Sequence, residues 1–412
     1  MEHLPLFRNN KERGYFFLLL FLLFLFNISL NFVHYQKFTN NEVFQTKGEI
    51  VNIYEKEDYN IVKIVTKNFT FFTSVTKTIH YQTLEQINIF IVTKNITFYD
   101  YLKGFYAKSF NIKIINKSST KITLSDFINK QHENTSIASL YNALFLATPV
   151  DKTIREMCSN FGISHLIALS GFHLGVISLV LYFLLHLFYN TLHQSYFPYR
   201  NKRFDIMIGV SIILFSYLVF VDMVPSLLRS FMMFVFALFL LRNNIKLFSF
   251  ETLFIVVLFI VALFPKLLFS LSLWFSVAGV FYIFLFLHYF KDVNKYLQFI
   301  LFNFWIYLAM NPIVHFFFPT TSIEQLFSPI FTLLFTLFYP LVALLHILQL
   351  GDLLDDIVLF LINYPIQSIE VPTPLVFFLF YIFISIFSIF NKKIFILLHI
   401  LFLSFNFILF IK

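Results

Sequence analysis

Gly162-Ile163-Ser164-His165-Leu166-Ile167-Ala168-Leu169-Ser170-Gly171-Phe172-His173-Leu174-Gly175 opens an apolar run that continues to Tyr189. A helix needs roughly 20 such residues to cross about 30 Å of hydrocarbon. Residues 163–189 therefore read as a membrane span, yet one that carries two histidines and several serines. At about 100° per residue, Ser164, Ala168, Gly171 and Gly175 fall within about 60° of one another. That stripe, with its Gly-x-x-x-Gly pair, suits close approach of a second helix. His165 and His173 lie on the other side and Ser170 on a third face.

Polar side chains at membrane depth are costly and usually face a bundle interior or a water-filled path. Neutral rings hydrogen-bonded between helices account for the histidines, and so does the lining of a path. A zinc site fits poorly, because eight residues separate the rings and no acid stands nearby. A Ser170–His173 nucleophile also fits poorly: no Gly-x-Ser-x-Gly elbow surrounds the serine. No metal, no cofactor and no catalytic residue is expected.

The composition supports the membrane reading. Of 412 residues 58% are hydrophobic and 13% charged, and mean hydropathy is +0.77. A soluble domain carries about 25% charged residues. Further spans are read at residues 205–221, 226–241, 250–264, 267–290, 296–312, 325–348, 374–390 and 394–411. Residues 15–31, preceded by Arg8, Lys11 and Arg13, read as an uncleaved signal anchor. Between them residues 35–135 are polar, with 13 Lys, no Arg and 9 acids over 35–134. Short alternating runs at 47–54, 59–66, 68–75, 87–93 and 111–116 predict a small β-barrel or sandwich, and residues 97–109 a helix. Residues 136–161 read as interfacial helices. The expected layout is an anchor (1–34), a β-domain (35–135), interfacial helices (136–161), a membrane domain (162–350) and a C-terminal hairpin region (351–412).

Loop charge orients the spans. Arg8, Lys11, Arg13, Arg200, Lys202, Arg203, Arg242, Lys246, Lys291 and Lys295 fall on one side, and only Lys266 on the other. Ten against one places the N-terminus in the cytoplasm and the β-domain outside it. Lys392 and Lys393 break the pattern under strict alternation. A segment 325–348 that re-enters, bent at Pro329 and Pro340, removes the conflict.

Two further stretches carry polar groups. Pro225-Ser226-Leu227-Leu228-Arg229-Ser230 sets an arginine one turn into the membrane, where it either snorkels or presents a cation to a phosphate. Ser272, Ser276 and Gly279 form another small stripe. The single cysteine, Cys158, excludes an intramolecular disulfide. No phosphate-binding loop is present, so energy for transport comes from a partner or a gradient.

The 162–175 segment resembles the signature of the ComEC competence family, with Ile167, Leu169 and Phe172 as conservative replacements. Residues 225–233 are similar to its Pro-Ser-x-x-Arg-Ala-x-x-Met stretch, with Ser230 in place of Ala. Residues 263–278 look like a third family stretch, with Phe264, Ser272 and Trp274 departing from it. The resemblance implies a bacterial inner-membrane channel for one strand of transforming DNA. It implies a polytopic α-helical membrane protein with an OB-fold-like β-barrel domain on the periplasmic or extracellular side. Against that pattern the expectation is a short member, without the metallo-β-lactamase-like domain of long ones. Implied partners are single-stranded DNA, the lipid bilayer, a periplasmic DNA receptor and a cytoplasmic ATP-driven translocase or single-strand-binding proteins; a homo-oligomer is compatible with it. The candidate path residues are His165, Ser170, His173 and Arg229. Two other classes share the spans: a transporter or flippase of another substrate, and an intramembrane Ser/His enzyme.

Overall fold

The computed structural model describes residues 7, 9–77, 81–115, 120–167, 169–243 and 249–411. Arg8, Lys246 and Ala168, used above, lie outside the described residues. Helix α1 (Asn10–Thr39) is followed by strands β1 (Val43–Glu55), β2 (Tyr59–Thr66), β3 (Thr70–Thr76) and β4 (Gln86–Val92). Then come α2 (Phe98–Lys103), β5 (Phe105–Tyr106) and β6 (Ser109–Ile115). The helix expected over 97–109 stops early, because Gly104 takes φ +102° and turns the chain into β5.

The six strands form one mixed sheet ordered β5-β3-β2-β1-β4-β6. The expected closed barrel is not formed. Strand β5 is two residues long and pairs only with β3, so the edges β5 and β6 share no ladder. The sheet curls nonetheless, and Thr73 Oγ1 meets Ser109 Oγ at 2.7 Å. Its concave face buries Ile50, Val62, Ile64, Phe71, Ile87 and Ile89. Phe38 on the last turn of α1, 1% exposed, plugs the same core. The first helix and the sheet are therefore one packed unit across the expected boundary at residue 34.

A helical region follows: α3 (Thr120–Asn129), α4 (Thr135–Leu146), α5 (Lys152–Asn160), α6 (Ser164–Ile167), α7 (Gly171–Tyr196), α8 (Lys202–Phe220), α9 (Pro225–Arg242) and α10 (Phe250–Leu263). After a 3-10 turn at Pro265–Phe269 come α11 (Leu271–Tyr289), α12 (Lys295–Phe317), β7 (Thr320–Thr321), a 3-10 turn at Ile323–Phe327 and α13 (Ser328–Ile347). The chain ends with α14 (Asp355–Asn363), β8 (Ile369–Glu370), α15 (Leu375–Phe387) and α16 (Lys392–Ile411). Among the described residues, seven helical stretches are long and apolar enough to cross a membrane: α1, α7, α8, α11, α12, Ile323–Ile347 and α16. Helices α4, α10 and α15 are apolar but shorter. The chain is a multi-pass membrane protein.

Contacts show which helix ends lie together. Arg13 pairs with Glu251 at 2.8 Å, and Asn27 Nδ2 donates to the Ala262 carbonyl at 2.8 Å. So α1 and α10 run parallel, and their far ends meet the sheet. There Lys266 donates to the Asn68 carbonyl and stands 5.0 Å over the Tyr101 ring. Burial lowers the Lys266 ammonium to about 8. Lys121 Nζ reaches Asp222 at 2.7 Å, which brings the α8–α9 turn to the same end.

The tail departs from strict alternation. Strand β7 pairs with β8, and Val371 N donates to the Pro319 carbonyl at 2.8 Å. The chain from 322 to 368 thus leaves and returns at one point. It is not bent into half-helices at Pro329 and Pro340. Pro329 opens α13, where a missing N–H costs nothing, and Pro340 sits inside one continuous 20-residue helix. The return runs instead through α14. In consequence α15 runs back beside α12, and Tyr289 Oη donates to Ser388 O at 2.6 Å. Lys392 and Lys393 come to the same end as Lys291 and Lys295.

Candidate functional site

The segment 162–175 is not one helix. It breaks between α6 and α7, and Ser170 is the N-cap of α7. Ser170 Oγ accepts from the Phe172 N–H at 3.3 Å, while the Ser170 N–H donates to His173 Nδ1, also at 3.3 Å. This reciprocal cap satisfies helix-end donors that would otherwise be orphaned. Because Nδ1 accepts, Nε2 carries the proton of the neutral ring. That Nε2 is buried with no hydrogen-bond partner among the described residues, and His173 is 0% exposed. The ring stands edge-on to Tyr339 at 5.0 Å and to Phe335 at 5.2 Å, both from α13. Ser170 Oγ lies 3.2 Å from His173 Nδ1, but no carboxylate among the described residues orients the ring. The geometry is that of a cap.

The break also dismantles the expected stripe. A Cβ on Gly171 would meet Ser230 Oγ of α9 at 3.1 Å, so this glycine does allow close approach. Among the described residues a Cβ on Gly175 would meet nothing within 4 Å, and the same holds for Gly279. Neither seats a close helix. Ser164 is exposed and Ser276 half-buried. His165, also exposed, places Nε2 3.2 Å from Thr332 Oγ1 of α13.

Arg229 does not snorkel. It is 4% exposed, and Nη1 donates to the Ser272 carbonyl and, at 3.1 Å, lies within reach of Ser272 Oγ. Its Nε is buried with no hydrogen-bond partner among the described residues. The three polar stretches thus converge on α9. Ser230 faces the start of α7, and its neighbour Arg229 faces the start of α11.

The convex face of the sheet presents a second feature. Lys63 Nζ stands 5.9 Å over the Phe72 ring, Tyr54 lies 6.4 Å from it, and Tyr106 is its neighbour in register. Phe90 and Phe110 stack at 5.6 Å on the same face, Phe110 being exposed. Lys47, Asn88 and Lys113 form one cross-strand row beside them. Partial burial holds the Lys63 ammonium below its ordinary value.

A family model described as competence protein matches residues 148–393, more than half of the chain. The chain belongs to the ComEC competence family. Membership assigns it a role in DNA uptake during competence, and all three polar stretches lie inside the matched region. Neither the curated proteins nor the solved structures gave a match. Within this ComEC-family chain one buried network escaped the sequence reading. His132 Nδ1 sits 2.9 Å from both Asp355 carboxylate oxygens, and its Nε2 is 3.0 Å from His346 Nε2. Tyr141 stacks on His132 at 4.7 Å. The three groups come from 214 and 223 residues apart, and nothing local marks them as partners. No group of three or more His, Cys, Asp or Glu suited to a metal occurs among the described residues.

Proposed function

We propose that the chain is the conduit that passes one strand of transforming DNA across the bacterial cytoplasmic membrane. The observation that carries this reading is the convergence on α9. Arg229 ties α9 to the start of α11, its neighbour Ser230 meets Gly171 at the start of α7, and His173 lies two residues further along α7. Arg229 and His173 each have a buried nitrogen with no hydrogen-bond partner among the described residues. Ionisable groups at membrane depth are costly and mark paths for polar cargo more often than simple packing. A guanidinium suits a phosphodiester among such cargoes. In this reading the basic helix ends face the cytoplasm, as the excess of Lys and Arg there favours. The sheet then lies outside. Its lysine and aromatic rows match what single strands ask of a protein, a cationic track with faces for bases to stack on. The chain acts as a conduit and not as an enzyme. An external DNA receptor and a cytoplasmic ATP-driven translocase or single-strand-binding proteins complete the route.

The test separates two pools of DNA. A deletion strain should hold labelled DNA in its periplasm and none in its cytoplasm, and the wild-type gene should restore entry. Normal transformation in the deletion strain rejects the proposal. Full-length protein should also bind single-stranded DNA with an affinity that falls as salt rises, and Lys63→Ala should flatten that slope by about one ion.

A further inference from the structure

Helices α8 and α9 are joined by a tight turn and held together near it, where Phe215 and Phe231 sit 5.7 Å apart. Towards the basic end they leave a groove of about 390 Å³, lined among others by Phe204, Ile208, Phe215, Val235, Phe239 and Arg242. Its walls are apolar side chains exposed on the helix surface, Ile208, Phe215, Val235 and Phe239 among them. From Phe204 to Phe215 the groove follows α8 for about 16 Å at 1.5 Å per residue. That is close to half of the roughly 30 Å hydrocarbon core, the depth of one leaflet. Arg242 closes the lining at the end beside Phe204, at the level of the charged helix termini. Two of the neighbouring cations there are engaged: Arg200 with Asp205 at 2.7 Å, and Lys202 with Asn190 at 2.6 Å. Arg242 has no carboxylate partner among the described residues.

We propose that this groove is a binding site for one anionic phospholipid, with an acyl chain along α8 and α9 and the headgroup phosphate on Arg242. Shape and charge both select the occupant. An apolar slot one leaflet deep takes a chain, and a cation at its mouth favours a headgroup with net negative charge. The guanidinium fork can bind a phosphate through two N–H groups. The site lies on the outside of the α8–α9 pair, and it does not depend on what the protein conducts.

The test uses purified full-length protein in detergent micelles. Phosphatidylglycerol and phosphatidylcholine with identical acyl chains are added separately, and retained lipid is counted by native mass spectrometry. One equivalent of phosphatidylglycerol should be retained about five-fold better than phosphatidylcholine, the effect of one cation at the headgroup level. Arg242→Gln should bring the two to parity. Arg203→Gln, a cation at the same end but outside the lining, should leave the preference in place. Ser211→Trp, which fills the groove, should lower retention of both lipids. Equal retention of the two lipids by the wild type overturns the proposal, as does a preference that survives Arg242→Gln. The wild-type comparison decides the matter even if a variant fails to fold.

Discussion

Arg229 reaches from the second turn of α9 to the backbone carbonyl of Ser272, so a cation in the apolar half of the chain is tied to the start of α11. By sequence Ser272 reads as a small packing residue, and Arg229 as a cation that either snorkels or meets a phosphate. Each is the other's partner. Arg229→Ala should lower stability by about 1.5–3 kcal/mol, the range for a hydrogen bond to a charged group. Thermal unfolding of the purified protein checks this. Arg229→Lys keeps one donor and should recover part of the loss. A wild-type melting curve for the alanine variant would show that the tie carries no stability.

The two glycines of the motif should behave differently. Gly171→Ala sets a methyl 3.1 Å from Ser230 Oγ, and Gly171→Leu should push α7 from α9 and reduce the protein found in membranes. Gly175→Ala meets open space. It should be neutral or stabilising by up to about 1 kcal/mol, the ordinary helix preference for alanine. Immunoblots of membrane fractions and melting curves distinguish the two positions.

His173 has a structural half and an unassigned half. Its Nδ1 caps α7 and its Nε2 meets no hydrogen-bond partner among the described residues. Asparagine at this position keeps an acceptor for the Ser170 N–H but supplies no ring N–H. His173→Asn should therefore leave the protein abundant while lowering DNA entry at least ten-fold. His173→Ala should lose both. If entry simply tracks the amount of protein in both variants, the histidine serves the fold alone.

The return of the tail predicts a labelling pattern. Cys158 is buried, so a Cys158→Ala background leaves no native thiol. Cysteines placed at Lys291 and Lys392 should react with an impermeant maleimide from the same side of the membrane, and one at Lys47 from the other. Labelling of position 392 together with position 47 would refute the hydrogen-bonded return of β8 to β7.

Helix α2 should respond to acid. Hydrogen bonds from the Thr97 hydroxyl at 2.5 Å and its N–H at 3.2 Å hold the Asp100 carboxyl below its ordinary value near 3.8. The folded state thus binds its proton less readily than the unfolded one. The contribution is full above the unfolded value and is lost as pH falls through the lower, folded one. Amide exchange of residues 98–103 should accelerate below about pH 4 relative to the sheet core. Asp100→Asn should abolish that pH dependence.

The sequence by itself determined the membrane class, most strand positions and the family. These rest on signals local in the chain: apolar run length, period-two alternation from Tyr59 to Thr66, and the spacing of His165, Ser170 and His173. It also located the polar stretches, because a charge in an apolar run stands out on its own. Partnership was not legible. Nothing near Arg229 names Ser272, and nothing near His132 names Asp355 or His346, since a hydrogen bond forms between atoms that only the packed chain brings together. Helix breaks were hidden too. Ser170 is compatible with a helix interior by period alone, and only its reciprocal bond with His173 makes it a cap. The closed barrel failed because closure needs two edges to pair, and β5 is too short to offer one. The tail was decided by a two-residue ladder between Thr320–Thr321 and Ile369–Glu370, too small to read from composition. Local free-energy preferences write elements into sequence, whereas the pairing of elements is fixed by packing over the whole chain.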